Sequence, residues 1–169
     1  TSRGPASDGA SSFKPDLAAP GVSIVSTAVG TGTGAANFSG TSMSAPHVAG
    51  AAALLHQEHQ NLRPGAIKAL LQNSTVNGNP SSDTSLARLG VGVIRVDKAA
   101  ALSSYASPGG VSFGRINPRS PVTQSEDVTL TNMSRKERTF SVTHVAHTTY
   151  PGVSVSCPRS VSVEGHHDR

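Results

Sequence analysis

The chain has 169 residues, a formal net charge of +4 and a single cysteine, Cys157. Only 14% of its residues are charged, well under the usual quarter, which excludes a coiled coil, an acidic tail protein and a highly charged nucleic-acid arm. One cysteine excludes an internal disulfide and a multi-cysteine zinc site, and no apolar run approaches the ~20 residues that a membrane helix needs.

The first elements alternate between strand and helix signals. Residues 22–29 are rich in β-branched side chains and predict a strand, and residues 30–40 predict a flexible, glycine-rich connection. Residues 41–60 then show a helical pattern with almost no polar face. Because a helix that is apolar all round is normally buried, we expect this one to lie inside a larger domain.

The next stretch predicts shorter elements. A second helix is expected from Pro64, followed by a loop over residues 73–85. Residues 91–96 predict a strand, and Asp97 is a suitable N-cap for a last short helix that ends near Leu102.

The composition changes at residues 103–110, where Ser-Ser-Tyr-Ala-Ser-Pro-Gly-Gly predicts a linker. Only strand signals follow, over residues 111–116, 128–131, 140–143, 153–156 and 161–163. Their short spacing suggests an antiparallel sandwich, although five strands are few for one. The predicted organisation is therefore a first domain over residues 1–102, the linker, and a partial all-β domain over residues 111–169.

The segment with the clearest chemistry is residues 38–50, Phe-Ser-Gly-Thr-Ser-Met-Ser-Ala-Pro-His-Val-Ala-Gly, a tight turn that leads into the apolar helix. Ser42 lies at the helix N-terminus, where outward-pointing N–H groups and the dipole favour developing negative charge. An acyl-transfer nucleophile needs an exposed hydroxyl and such a donor, and Gly40 lets a substrate backbone approach closely. Serine is also an ordinary N-cap residue, so the helix start alone leaves a purely structural role open.

The complete string over residues 40–50 closely resembles the nucleophile motif of the subtilisin-like serine proteases (subtilases, peptidase family S8). Residues 15–22 look like the segment that precedes this motif in the family, and residues 91–100 look like its closing strand and helix. The resemblance covers about residues 1–102 and implies an α/β fold, here an incomplete, mostly parallel sheet with flanking helices. Residues 111–169 are similar to the fibronectin-III-like domain that follows the catalytic domain in some extracellular subtilases.

The resemblance implies a role for each matched residue. Ser42 matches the acylated nucleophile, and its backbone N–H would form half of the oxyanion hole. Thr41 looks like the residue whose hydroxyl supports the oxyanion indirectly, and Gly40 shapes the turn. The resemblance implies no catalytic role for the other members of the motif that lie near the site, which are Met43, Pro46 and His47.

His47 matches a family histidine that is not the general base, because it follows Ser42 by five residues and points to a different side of the helix. We expect it to be buried and hydrogen-bonded. Pro46 is expected in the first turn of the helix, where a missing N–H is tolerated. Met43 and Pro46 are therefore expected to be structural residues near the site.

Two partners of a serine nucleophile are missing from the sequence. Serine needs an adjacent base, and in subtilisin the triad runs Asp, His, Ser along the chain. The 41 residues before Ser42 contain Asp8, Asp16 and no histidine, and the Asp-Ser/Thr-Gly and His-Gly-Thr motifs of the family occur nowhere. We therefore expect a C-terminal part of a catalytic domain, inactive by itself, followed by the start of another domain.

Other ligands and partners are weakly signalled. His56 and His59 lie three residues apart without a third ligand in view, so we expect solvent-facing histidines and no metal site. Calcium is common in subtilases, but no ligand can be named here. The basic residues near Arg135 are interrupted by Glu137 and predict a solvated turn rather than a nucleic-acid patch.

The predicted function is that of a serine endopeptidase, secreted or in the cell envelope, that hydrolyses polypeptides through an acyl-enzyme on Ser42. Export is implied by the family resemblance and suits the low-charge composition. Two alternatives stay open: a pseudoprotease or binding module that acts through the β domain, and a structural or adhesion protein in which residues 1–102 only support that domain.

Overall fold

The computed structural model describes residues 3–4, 14–76, 85–114, 120–146 and 149–165. These residues form four helices and six strands, which confirms the predicted mixture of both. In chain order the elements are β1 (Ile24–Thr27), β2 (Ala35–Phe38), α1 (Thr41–Glu58), α2 (Pro64–Asn73), α3 (Leu86–Leu89), α4 (Val96–Ala101), β3 (Ser104–Ser107), β4 (Thr129–Asn132), β5 (Arg138–Ser141) and β6 (Ser160–Val163).

The strands pair two by two. β1 pairs with β2, β3 with β4 and β5 with β6, and all three pairs are antiparallel. Within the described residues, parallel pairing is limited to a single bridge between Ala18 and Val93. Among the described residues, the predicted parallel sheet is therefore represented by that bridge alone. A larger parallel sheet would need neighbouring strands joined by long crossovers.

The hydrophobic core lies among α1, α2 and α4. Its buried members are apolar and come from these three helices: Ala51, Leu55, Ile67, Leu70, Leu71 and Ala99. Three of them, Ile67, Leu70 and Leu71, recur on one face of α2 at the spacing that the sequence shows, so the predicted second helix is confirmed.

Within the described residues α1 is buried on one side only, and its burial inside a larger domain stays a prediction. Only Ala51 and Leu55 are buried in this helix, and Leu54 is 59% exposed. The cause is that α2 and α4 pack against one side of α1 and leave the other side uncovered. An apolar groove of about 750 Å³ between α1 and α2 is lined partly by Val48 and Ala52.

Two predictions in the first region need correction. Residues 30–40 are not wholly a flexible connection, because β2 lies in them and forms a hairpin with β1. Residues 91–96 form no strand: Val93 makes isolated bridges to two other segments, and Val96 already begins α4. Gly90 and Gly92 adopt positive φ angles of 62° and 135°, which interrupt an extended run.

The start of α4 also differs from the prediction. Arg95 is its N-cap residue, and Asp97 lies in the first turn, where its carboxylate accepts two hydrogen bonds from Arg95. An acidic residue in the first turn still suits the helix dipole. α3, which the sequence analysis did not predict, precedes this segment.

The predicted linker is ordered as a strand. β3 lies within residues 103–110 and pairs with β4, and the Asn73 side chain donates to the Ala106 carbonyl at 2.9 Å and accepts from the Ala106 N–H at 2.8 Å. The Asn73 side-chain amide thus pairs with the β3 backbone through the two hydrogen bonds that a neighbouring strand would otherwise make. The domain boundaries themselves stay a prediction.

Three of the later strands form, each with slightly shifted ends: β4, β5 and β6. Residues 111–114 and 153–156 form no strand, and residues 115–116 lie outside the described part. The strands that do form make two-stranded sheets, and the sandwich stays a prediction.

Candidate active site

The candidate site lies at the turn between the end of β2 and the start of α1. Gly40 is the N-cap residue, with an extended backbone at φ 161° and ψ 168°, and no side chain caps the helix. The Met43 N–H donates to the Gly40 carbonyl oxygen at 3.1 Å and closes the first turn. The helix that follows has 18 residues, so its dipole is fully developed at this end.

Ser42 is the second residue of α1, and both it and Thr41 are exposed. Within the described residues, no hydrogen bond has the Ser42 N–H as its donor, and none involves its hydroxyl. A free hydroxyl next to a free N–H at the positive end of a helix is the arrangement that stabilises an oxyanion formed at that hydroxyl.

Residues 19–23 lie against this turn and hold it through three hydrogen bonds. The Gly40 N–H donates to the Gly21 carbonyl oxygen at 2.7 Å, the Ser44 hydroxyl donates to the Ala19 carbonyl oxygen at 3.0 Å, and the Ser23 N–H donates to Ser39 Oγ at 2.8 Å. The sequence analysis identified residues 15–22 only by their resemblance to the segment that precedes the motif. It predicted none of these hydrogen bonds.

The structural role expected of Met43, Pro46 and His47 stays a prediction, and the structure corrects the expected placement of two of them. His47 is exposed rather than buried, although its Nδ1 lies 2.8 Å from the Met43 carbonyl oxygen as a hydrogen-bonded histidine should. Pro46 lies inside α1 beyond the first turn, because the helix already begins at Thr41. Lacking an N–H, Pro46 leaves the Ser42 carbonyl without its helical donor. Met43 is half-buried.

Asp16 does not supply the carboxylate of a triad. Its two oxygens lie 2.7 Å from Lys14 Nζ and 2.6 Å from Lys68 Nζ. Partial burial raises the pKa of this carboxyl, but the hydrogen bonds and charges of the two lysines outweigh it, so the pKa lies below the usual 3.8. Asp8, the other aspartate before Ser42, lies outside the described residues.

No base reaches Ser42 in the part of the chain that the structure describes, since none of the hydrogen bonds there joins its hydroxyl to a histidine or carboxylate. His56 is exposed as expected. His59 is partly buried rather than solvent-facing, and its Nε2 has no hydrogen-bond partner among the described residues.

The described residues show neither a metal-binding cluster nor a membrane-spanning helix. They contain no group of three or more His, Cys, Asp or Glu that could hold a metal ion. None of their helices combines the length and the apolar character needed to cross a membrane. Calcium binding therefore stays a prediction without named ligands.

Residues 1–92 match the subtilase family, peptidase S8. The chain is 31% identical to the minor extracellular protease Vpr of Bacillus subtilis, over 98% of this chain and 21% of that protein. It is 36% identical to the CO(2)-response secreted protease of Arabidopsis thaliana, over 63% of this chain and 15% of that protein. Among solved structures, the Clostridium perfringens CspB protease is similar over 51% of this chain and 19% of its own, with 34% identity and a TM-score of 0.44. The chain thus spans about a fifth of the length of the Bacillus relative.

Proposed function

The chain belongs to the subtilase family, and we propose that it carries the nucleophile, Ser42, of a serine endopeptidase longer than this chain. The observation that carries the proposal is the exposed Ser42 hydroxyl beside an N–H that donates to no described residue, at the uncapped start of α1. The side-chain oxygen of an N-cap serine would instead accept a hydrogen bond from a backbone N–H in the first turn of the helix. Here the N-cap residue is Gly40, so Ser42 does not have that role.

In the proposed reaction, Ser42 Oγ attacks the carbonyl carbon of the scissile peptide and gives its proton to a base that no described residue supplies. The oxyanion of the tetrahedral intermediate accepts a hydrogen bond from the Ser42 N–H, supported by the Thr41 hydroxyl. The C–N bond breaks as the base returns the proton to the leaving amine, and the acyl group stays on Ser42. Water then attacks the ester and releases the acid.

Gly40 leaves room for the substrate. A Cβ added to it would meet nothing closer than the Ser42 nitrogen at 3.8 Å, so the described protein atoms would tolerate a side chain there. We infer that the space beside Gly40 is kept for the backbone of a polypeptide substrate, which must approach closely to reach Ser42.

The setting of the proposed enzyme is extracellular or in the cell envelope. One relative is named as an extracellular protease and another as a secreted one, which supports the same location for this protein. The strand pattern of β4, β5 and β6 supports a β domain after the catalytic region. No calcium ligand is proposed among the described residues.

A fluorophosphonate probe tests the proposal in the whole protease that contains this chain. We expect one label per chain, located on Ser42 by peptide mass spectrometry, and loss of the label in S42A. Peptide hydrolysis in S42A should fall about 10⁶-fold, the loss known for the nucleophile of subtilisin itself. Ser26→Ala, which changes an exposed serine on β1, is the matched control and should keep both label and activity.

Absence of the label from a folded protein would reject the nucleophile and favour the binding module. A second test uses the chain of 169 residues alone. Because no described residue supplies the base, we expect its hydrolysis of a peptide nitroanilide to equal that of its own S42A variant. Turnover comparable to the whole protease would contradict this part of the proposal.

A further inference from the structure

Three hydrogen bonds join residues 19–23 to the turn on both sides of the nucleophile, and none of them involves the nucleophile itself. They engage Ser39 and Gly40 before Ser42, and Ser44 after it. The turn is therefore held on both sides of Ser42, and the nucleophile's own hydroxyl and N–H make no hydrogen bond within the described residues.

Ser44 makes the most specific of these contacts. It lies two residues after Ser42, so the two side chains leave α1 in different directions. A serine inside a helix commonly bonds back to the carbonyl four residues earlier, which here is that of Gly40. Ser44 instead donates to the Ala19 carbonyl, 25 residues away in the chain, from a half-buried position.

Gly21 permits this contact by the absence of a side chain. A Cβ added to Gly21 would lie 2.1 Å from Ser44 Oγ and 2.8 Å from the Gly40 carbonyl oxygen, so any other residue would force the segment away from the turn. Ser23 has a positive φ of 52°, a conformation that a serine rarely adopts. Its N–H is fixed by Ser39 Oγ, so local structure holds the segment in this shape.

We propose that Ser44 and Gly21 are positioning residues for Ser42, which fix the start of α1 against residues 19–23 and so set the rate at which Ser42 is acylated. The inference rests on the proposed function of Ser42. Its physical basis is that a misplacement of reacting groups by 1 Å costs about 10²-fold in rate. The Ser44 bond holds the first turn of α1, and the Ser42 Oγ and N–H move with that turn.

The test measures acylation separately from folding, in the whole protease. For Ser44→Ala we expect the second-order rate of fluorophosphonate labelling and kcat to fall by about 10- to 100-fold. KM should change by less than about twofold, because the substrate contacts remain. Labelling should still reach one per chain at long times. Ser44→Thr, which keeps the hydroxyl, should restore most of the rate.

A double-mutant comparison isolates the contact between Ser44 and Gly21. Gly21→Ala introduces the 2.1 Å conflict with Ser44 Oγ, and Ser44→Ala removes that oxygen. The combined variant should therefore label faster than the product of the two single losses predicts. If Gly21→Ala alone does not fold, the Ser44→Ala and Ser44→Thr pair still decides the proposal.

The possible outcomes distinguish the positioning role of Ser44 from the proposed function of Ser42. A Ser44→Ala protein that has a lower melting temperature but labels at the wild-type rate would overturn the positioning role and leave the nucleophile intact. A wild-type protein that never labels would overturn the proposed function itself. Ser26→Ala again serves as the control and should label at the wild-type rate.

Discussion

The helical region (residues 41–101) buries a cluster of apolar side chains beside the polar Gln72 and Ser74, whereas the described strand region (residues 104–163) buries no apolar side chain. In the helical region the core is apolar and includes Leu55 and Leu70, which are almost completely buried. Among the described residues of the strand region the buried side chain is a polar one, Asn132, which is 2% exposed. The first region therefore contains the apolar core, whose burial is non-directional, whereas the buried side chain of the second is held by directed hydrogen bonds.

The buried amide of Asn132 has all of its donors and its acceptor hydrogen-bonded. Its Nδ2 donates to the Lys136 carbonyl at 2.8 Å and to the Val163 carbonyl at 3.0 Å. Its Oδ1 accepts from the Ser134 N–H and the Ser134 hydroxyl at 3.1 and 2.7 Å. A buried amide costs free energy unless its donors and acceptors are paired, and here both donors and the acceptor are. The side chain thereby joins β4, the following turn and β6.

The largest expected effect is on the apolar core. Leu70→Ala should lower the free energy of unfolding by about 2–5 kcal/mol, because it removes fully buried methyl groups and leaves a cavity. Urea unfolding followed by circular dichroism measures this loss. Leu54→Ala, on the exposed side of α1, is the matched control and should cost less than about 1 kcal/mol. Equal losses in the two variants would contradict the placement of the core.

The second prediction concerns the polar centre of the strand region. Asn132→Ala should cost about 1–3 kcal/mol, because the Lys136 and Val163 carbonyls lose the buried amide that donates to them. Amide hydrogen exchange locates the loss: we expect faster exchange in β5 and β6 and unchanged exchange in α2. Ser134→Ala removes the hydroxyl that reaches Asn132 Oδ1 and the Lys136 carbonyl but keeps the Ser134 N–H donor, so it should have a smaller effect. Faster exchange in α2 to the same degree would mean that the two regions unfold together.

The same contrast explains what the sequence could predict. The spacing of Ile67, Leu70 and Leu71 shows one apolar face, so α2 and its buried side follow from the pattern. α1 is apolar on all sides, so its pattern predicts a helix but not which side is covered. That choice depends on α2 and α4, which pack on one side only.

The strands depend more on distant partners than on local composition. β2 and β3 contain no valine or isoleucine, yet both form because β1 and β4 pair with them. Residues 91–96 have strand composition, but Gly92 within them and Gly90 just before them have positive φ angles that interrupt an extended run. Local propensity is a weak guide when tertiary pairing decides the backbone.

The candidate site also has a part that the local sequence predicts and a part that depends on distant residues. Ser42, Thr41 and Gly40 are adjacent in the chain, so a motif identifies them together. Ser44 lies within that motif, but its partner Ala19 lies far along the chain, and this contact is visible only in the folded structure. The sequence therefore predicts the nucleophile and leaves its support unpredicted.

The smallest expected effect tests a third kind of contact, the ion pairs of Asp16 with Lys14 and Lys68. Both lysine side chains are about half exposed and Asp16 is partly buried, so the pairs should stabilise the fold by about 1 kcal/mol or less. The pKa of Asp16 is lowered in the folded protein. A lowered pKa means that the stabilisation is fully present above the unfolded value, about 3.9, and is lost as the pH falls through the folded value.

Asp16→Asn should therefore be slightly less stable than the wild type at pH 7, and the difference in free energy of unfolding should vanish as the pH falls below about 4. Added salt at 1 M should shrink the same difference at pH 7, because it screens exposed charges. Urea unfolding of both proteins between pH 2 and pH 7 measures it. A difference that persists unchanged from pH 7 to pH 2 would show that the charge of Asp16 is not its source, because asparagine nearly matches the volume of aspartate and differs from it in hydrogen bonding.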